Sequence, residues 1–255
     1  MRKKISLLLL VVLSITMFMG CSKKEEEKKE ITISIAASLV DSMNEIIENY
    51  NKDNDVVVNV NSGGSGALKK QIASGAEVDL FFSANEKYMD ELIDEGFVNS
   101  ADKTTPISNA LVLIKNNDAK EINELQDLKN AEGKIAVGEL GTVPAGQYTK
   151  TALDNIGLWN EIEDKVIFAK DVTIAKSYVE KGEAEYGFVY KSDALDLTDS
   201  EIVLEVPNEY YGKVVYALAK LKDTANSSEV AKLIDCINSN EGKAIFEKYG
   251  FVVEE

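Results

Sequence analysis

The chain has 255 residues, with 28 Lys plus Arg against 44 Asp plus Glu, no histidine, and a formal net charge of −16. Without histidine there is no Ser-His-Asp or Cys-His machinery, no imidazole metal ligand and no imidazole switch near neutrality. Two cysteines, Cys21 and Cys236, make neither a disulfide framework nor a four-cysteine zinc site, and so acidic a chain is not a nucleic-acid binder.

Met1 to Lys4 is a basic stretch, and Ile5 to Gly20 is an apolar run interrupted only by Ser6, Ser14 and Thr16. It is shorter than the roughly 20 residues of a spanning helix and reads as a signal peptide over 1–20. Its end, Phe18-Met19-Gly20-Cys21, resembles the lipobox of bacterial lipoproteins, which implies lipidation of Cys21. Residues 21–30 then form a charged tether, since Ser22 to Glu30 holds four Lys, four Glu and no apolar residue. Loss of Arg2, Lys3 and Lys4 with the leader takes the net charge from −16 to −19. The expected location is extracytoplasmic, on the outer face of the bacterial cell membrane, touching it through the lipid anchor only.

From Ile31 onward β-rich runs alternate with amphipathic patterns. The predicted strands are Ile31–Ala36, Val56–Val60, Val78–Phe82, Ala110–Ile114, Lys134–Gly138, Val166–Phe168, Tyr186–Tyr190, Ile202–Val206 and Val214–Ala219. Between them, Leu39, Met43, Ile46, Ile47 and Tyr50 share one helical face, as do Val230, Leu233, Ile234 and Ile237. Such alternation predicts an α/β protein with mostly parallel sheets flanked by helices. Pro106 and Pro207 precede extended runs and mark two crossings between lobes. Residues 31–108 plus 207–255 are then lobe I, and 109–206 lobe II, with hinges near Pro106–Asn109 and Val206–Lys213.

Four helix starts share a grammar: Ser38 as N-cap of Leu39–Tyr50, Ser65 in Ser62-Gly63-Gly64-Ser65-Gly66, Pro144-Ala145-Gly146, and Asp171-Val172-Thr173. Each start exposes peptide N–H groups and a partial positive charge, which suits an anion. In open α/β sheets these starts lie at the carboxyl ends of strands, where ligands bind. Gly63–Gly66 lacks the Gly-Lys-Ser/Thr of a P-loop and the third glycine of a dinucleotide fingerprint. The residues alone therefore suggest a two-lobed solute receptor.

Ala36-Ala37-Ser38-Leu39, Gly64-Ser65-Gly66-Ala67-Leu68 and Gly75 to Ala84 resemble the periplasmic molybdate-binding protein family. So do Val143-Pro144-Ala145-Gly146-Gln147-Tyr148, Gly187 to Ala194 and Lys248-Tyr249-Gly250-Phe251. The resemblance implies a two-lobed type II periplasmic binding protein fold with the ligand in the cleft. It implies a monomer that captures molybdate or tungstate and passes it to the membrane permease and ATPase of an ABC importer, with no cofactor and no bare metal ion. Carried over by position, the ligand donors would be the hydroxyl and N–H of Ser38 and Ser65, the N–H of Ala145 and Val172, and the hydroxyl of Tyr190. Where the family often has a serine-rich run, Ser65 stands between glycines, and Ser62 is the other nearby hydroxyl.

Three other readings compete. Tyr210-Tyr211 resembles the tyrosine pair of ferric-iron receptors, although hinge packing also accounts for it. A sulfate or phosphate receptor is the second, with Glu139 or Asp193 as acceptor for a phosphate proton or else as structural caps. A hydrolase is the third, but neither Ser38 nor Ser65 has an evident base, so no catalytic residue is assigned. Cys236 is expected to be an inert helix thiol and Trp159 a core residue.

Overall fold

The computed structural model describes residues 29–254. The expected signal peptide and Cys21 lie outside them, as does the expected tether up to position 28. At its end the tether is shorter than expected, because Lys29 and Glu30 already pair with Val56 and Val57. The eleven described strands form two sheets. The first takes β1 (Lys29–Ala36), β2 (Val56–Gly63), β3 (Leu80–Ser83), β4 (Thr104–Asn109), β10 (Val214–Lys220) and β11 (Val252–Val253), in the order β11-β4-β10-β3-β1-β2. The second takes β5 (Leu111–Asn116), β6 (Ile135–Gly138), β7 (Val166–Ala169), β8 (Tyr186–Tyr190) and β9 (Ser200–Glu205), in the order β7-β6-β8-β5-β9.

The sheets are mixed, not mostly parallel. β1 runs parallel to β2 and β3, and β6 parallel to β7 and β8. The contacts of β4, β10 and β11 and those of β5 with β8 and β9 are antiparallel. The parallel strands follow strand-helix-strand crossovers, whereas the chain reaches β5 and β10 directly from the other sheet, so no crossover helix fixes their direction. β4 went unrecognised in the sequence because Pro106 and the polar Thr-Thr-Pro-Ile-Ser-Asn run mask it.

β1 carries Ile31, Ile33 and Ile35, all fully buried, and Ser34 on its other face is fully buried too. A strand so enclosed is central, and each buried isoleucine contributes about 1.5–3 kcal/mol. The expected stripe of α1 (Val40–Asp53) is the buried one: Met43, Ile46, Ile47 and Tyr50. α7 (Ser227–Asn238) and α8 (Asn240–Lys248) pack on α1. α2 (Ser65–Ala73) and α3 (Glu86–Asp94) contribute Leu68, Ile72, Met89 and Leu92 to a separate cluster with Phe81 and Leu221. In the second lobe α4 (Pro144–Asn155) and α6 (Val172–Glu180) lie against β5, β6 and β8, and α5 (Trp159–Ile162) packs on α4. Trp159 is buried there, and Cys236 is a free, half-buried thiol on α7. No helix among the described residues is long and apolar enough to cross a membrane.

Candidate functional site: a donor-lined cleft between the lobes

Ser38, Ser65, Ala145, Val172 and Tyr190 line one cavity between the two sheets. Each follows or ends a strand of a parallel pair: β1, β2, β6, β7 and β8 in turn. The cavity measures about 10 Å³ for the centre of a water-sized body. That is about the least that admits one such body, so the lobes stand nearly shut. Its lining holds no lysine or arginine, and Asp171 is the one carboxylate on it. Ser62 lies outside, on an adjoining pocket of about 290 Å³ that shares Ala37, Ser38 and Asp171 with it.

Ser38 is not the N-cap the sequence suggests. It lies inside a 3-10 turn, Ala37–Leu39, that precedes α1, and Leu39 takes the cap position without a side-chain bond. The turn carries the Ser38 hydroxyl sideways to the Tyr216 Oη at 2.8 Å. Ser65 is the first residue of α2, and its Oγ accepts the Ala84 N–H at 3.0 Å. That fills a lone pair and leaves the hydroxyl proton for the cavity. The next N–H, from Gly66, crosses the cleft to the Thr142 carbonyl at 2.8 Å.

On the opposite wall α4 begins with Pro144 at its first turn and has no capping side chain. The Ala145 N–H therefore has no partner within the helix. A Cβ on Gly146 would come within 1.9 Å of the Gly138 carbonyl, so glycine there lets the helix start press against the end of β6. α6 is capped by Asp171, whose carboxylate takes the Ile174 N–H at 2.8 Å, leaving the earlier Val172 N–H free of that cap. Tyr190 ends β8, and its hydroxyl, sealed from solvent, has no hydrogen-bond partner among the described residues. Burial pushes the Tyr190 phenol well above its ordinary pKa, so it remains a neutral donor.

Tyr216 is the residue sequence reasoning missed. It is fully buried, makes an edge contact with Tyr190 at 6.0 Å, and bonds both Ser38 and Asn109. The adjoining pocket holds Asp193, whose Oδ2 is sealed and unpartnered, and burial raises its pKa to about 7. Glu139 instead accepts the Thr142 hydroxyl at 3.0 Å and caps the turn before α4.

Tyr211 does not offer a phenolate. Its hydroxyl accepts the Leu111 N–H at 3.0 Å and donates to Asn208 Oδ1 at 2.7 Å, while the Tyr210 carbonyl holds Asn155. The pair lies on the return from β9 to β10 and not on the cavity. Among the described residues no cluster of three or more His, Cys, Asp or Glu is placed to hold a metal ion.

Hydroxyl and N–H donors thus outnumber acceptor side chains on the cavity, an arrangement that suits an oxyanion. Residues 31–252 match the model of the bacterial extracellular solute-binding protein family. The Bacillus subtilis protein YvgL, assigned by name to the ABC transporter substrate-binding lipoproteins, is 39% identical over 100% of both chains. The molybdate-binding protein ModA of Escherichia coli is 32% identical over 89% of this chain and 91% of its own. A solved substrate-binding domain, assigned to a molybdenum ABC transporter of Clostridium difficile, superposes with a TM-score of 0.67. It is 36% identical over 89% of this chain and 100% of that one. The chain belongs to the bacterial extracellular solute-binding proteins.

Proposed function

We propose that this chain is the extracytoplasmic receptor of an ABC importer for molybdate, and for tungstate, which has the same charge and shape. The observation that carries the reading is the Tyr190 hydroxyl: buried, unpartnered, and on a cavity walled by serine hydroxyls and helix-start N–H groups. Leaving such a hydroxyl unpaired costs about 1–3 kcal/mol, and a ligand oxygen recovers it. Ser38, Ser65, Ala145, Val172 and Tyr190 are the proposed donors. Several charge-assisted bonds in a closed, low-dielectric space stabilise a dianion without a lysine or arginine. Release then follows opening of the lobes, 31–108 plus 207–255 against 109–206.

Phosphate carries a proton at neutral pH and needs an acceptor, and the one carboxylate on the cavity, Asp171, already accepts the Ile174 N–H, which disfavours it. Sulfate needs none, and cavity size alone separates it from molybdate. Ser38 is bonded to a tyrosine hydroxyl and Ser65 to a peptide N–H, neither of them a base, which supports a chain that acts by binding. Anchoring through Cys21 and docking of a monomer on a permease with its ATPase complete the reading.

Thermal unfolding of the chain lacking residues 1–21 tests it, with molybdate, tungstate, sulfate, phosphate and ferric citrate at equal concentration. A ligand at 100 times its dissociation constant adds about 2.7 kcal/mol, a shift easily seen. Stabilisation by molybdate and tungstate alone is the expected result. Silence with all five would sink the oxyanion reading.

A further inference from the structure

The Tyr216 side chain belongs to no wall of the ligand cavity, yet its hydroxyl is held between two polar groups. Asn109 Oδ1 accepts the Ala110 N–H at 2.9 Å, which fixes the amide so that Nδ2 faces the other way. That Nδ2 donates to Ser192 Oγ at 2.9 Å and to Tyr216 Oη at 3.3 Å. Tyr216 Oη thus receives a hydrogen bond from Asn109, and its other hydrogen-bond partner among the described residues is Ser38 Oγ at 2.8 Å.

The direction of the Ser38 bond follows from a count of protons. If Ser38 donated to Tyr216, the phenol would accept twice and its own proton would be buried with no acceptor, at a cost comparable to a lost hydrogen bond. The Tyr216 phenol therefore donates to Ser38. Ser38 Oγ is then an acceptor toward Tyr216, and its own proton is left for the cavity that it lines. Hydrogen bonds in such a chain polarise one another, which makes the last donor stronger.

We infer that Tyr216 is a positioning residue for ligand binding: oriented by Asn109, it turns the Ser38 hydroxyl into a fixed donor aimed at the bound oxyanion. The inference rests on the proposed receptor function. Without the Tyr216 hydroxyl, Ser38 keeps its oxygen but loses the partner that decides where its proton points. The ligand would then have to order a free rotor, and some of the binding free energy is spent on that.

The test is a double-mutant cycle on molybdate affinity, measured by calorimetry with the chain lacking residues 1–21. Tyr216→Phe removes one oxygen from a buried ring and is expected to weaken binding about tenfold, the size of one hydrogen bond to a charged group. Ser38→Ala weakens it as much or more. Combined, the two are expected to do no more than Ser38→Ala alone. Tyr216→Phe with Ser65→Ala, which lies on a separate bond to Ala84, is expected to multiply in full. A merely structural role for Tyr216 would lower affinity equally in both backgrounds. Should Tyr216→Phe fold poorly, Asn109→Ala takes its place in the cycle, with a smaller loss that vanishes in the Ser38→Ala background.

Unaltered affinity in Tyr216→Phe, or equal losses with and without Ser38, would overturn the inference while the wild-type chain still binds molybdate. A wild-type chain that binds none of the oxyanions overturns the receptor reading itself, and this inference with it.

Discussion

The two walls of the cleft offer donors of different kinds. The first lobe supplies serine hydroxyls whose oxygens are already engaged, Ser38 by Tyr216 and Ser65 by the Ala84 N–H. The second supplies the first-turn N–H groups of α4 and α6 and a phenol with no partner. Donors on the first wall are arranged before any ligand arrives, and the cost of an unpaired buried group sits on the second. A ligand that bridges both walls therefore recovers that cost.

The sharpest way to break the contrast is to keep the walls apart. A Cβ at Gly64 would come within 2.9 Å of the Lys170 carbonyl and 3.0 Å of the Thr142 carbonyl, both on the opposite lobe. Gly64→Val is expected to hold the lobes open and to lower molybdate affinity by about 100-fold or more, since the second wall's bonds to a charged ligand are lost together. Calorimetry checks the affinity, and small-angle scattering with ligand present checks the opening. Wild-type compaction on adding molybdate to this variant would refute the steric account.

Hydroxyl deletions separate the walls next. Tyr190→Phe is expected to cost about 10–100-fold in affinity yet leave the ligand-free chain as stable or about 1 kcal/mol more so, because the unpaired phenol oxygen is gone. Ser65→Ala is expected to cost affinity and about 1 kcal/mol of ligand-free stability as well, since the Ala84 N–H loses its acceptor. Denaturant unfolding of both variants without ligand decides it, and equal losses of stability would erase the distinction.

A smaller effect comes from Asp193. Asp193 as a whole is half-buried, but its Oδ2 is sealed, and burial lifts the carboxyl to a pKa of about 7. Lys176 and the Tyr190 N–H oppose the shift, while Asp41 and Asp171 add to it. The folded chain keeps this proton where the unfolded chain has lost it. Stability from the group is thus whole below the ordinary aspartate pKa of about 4 and is lost as pH rises through about 7. A dianion in the neighbouring cavity favours the protonated form further, so molybdate is expected to bind a few-fold more tightly at pH 6 than at pH 8, with proton uptake. Asp193→Asn is expected to flatten both profiles; persistence of the pH dependence in that variant would assign it elsewhere.

Salt is expected to matter least. Neither wall carries a lysine or arginine on the cavity, and the chain is acidic overall, so steering of an anion inward is weak. With a Debye length of about 8 Å at physiological ionic strength, stopped-flow association should slow about twofold at low salt. A several-fold acceleration would mean a basic funnel outside the cavity.

Much of this layout can be read in the sequence because local chemistry dictates it. The isoleucine alternation of β1, the stripe of α1 and the Pro144 and Asp171 helix starts depend on neighbours a few residues away, and they stand where expected. The direction of β5 and β10 was hidden, because it depends on how the chain enters from the other sheet. Ser38 looked like a cap because serine before an amphipathic stripe usually is one. Its partner Tyr216 lies 178 positions away inside an apolar run, Val-Val-Tyr-Ala-Leu-Ala-Lys, that reads as core alone. No spacing rule links them; only the pairing of β10 with β3 and β4 brings that phenol under the cleft.

β4 ends at Asn109 and β5 begins at Leu111, so one residue, Ala110, joins the two sheets on one side. The return path over residues 206–213 is longer, but Tyr211 ties it to the Leu111 amide and to Asn208. Two connections fastened side by side in this way are expected to act as a hinge with one stiff axis, not as a loose tether. Such a hinge favours a door-like swing of the lobes over sliding or twisting past one another. A receptor built on such a pivot returns to the same register at each closing, and its donors meet the ligand in the same arrangement on every cycle.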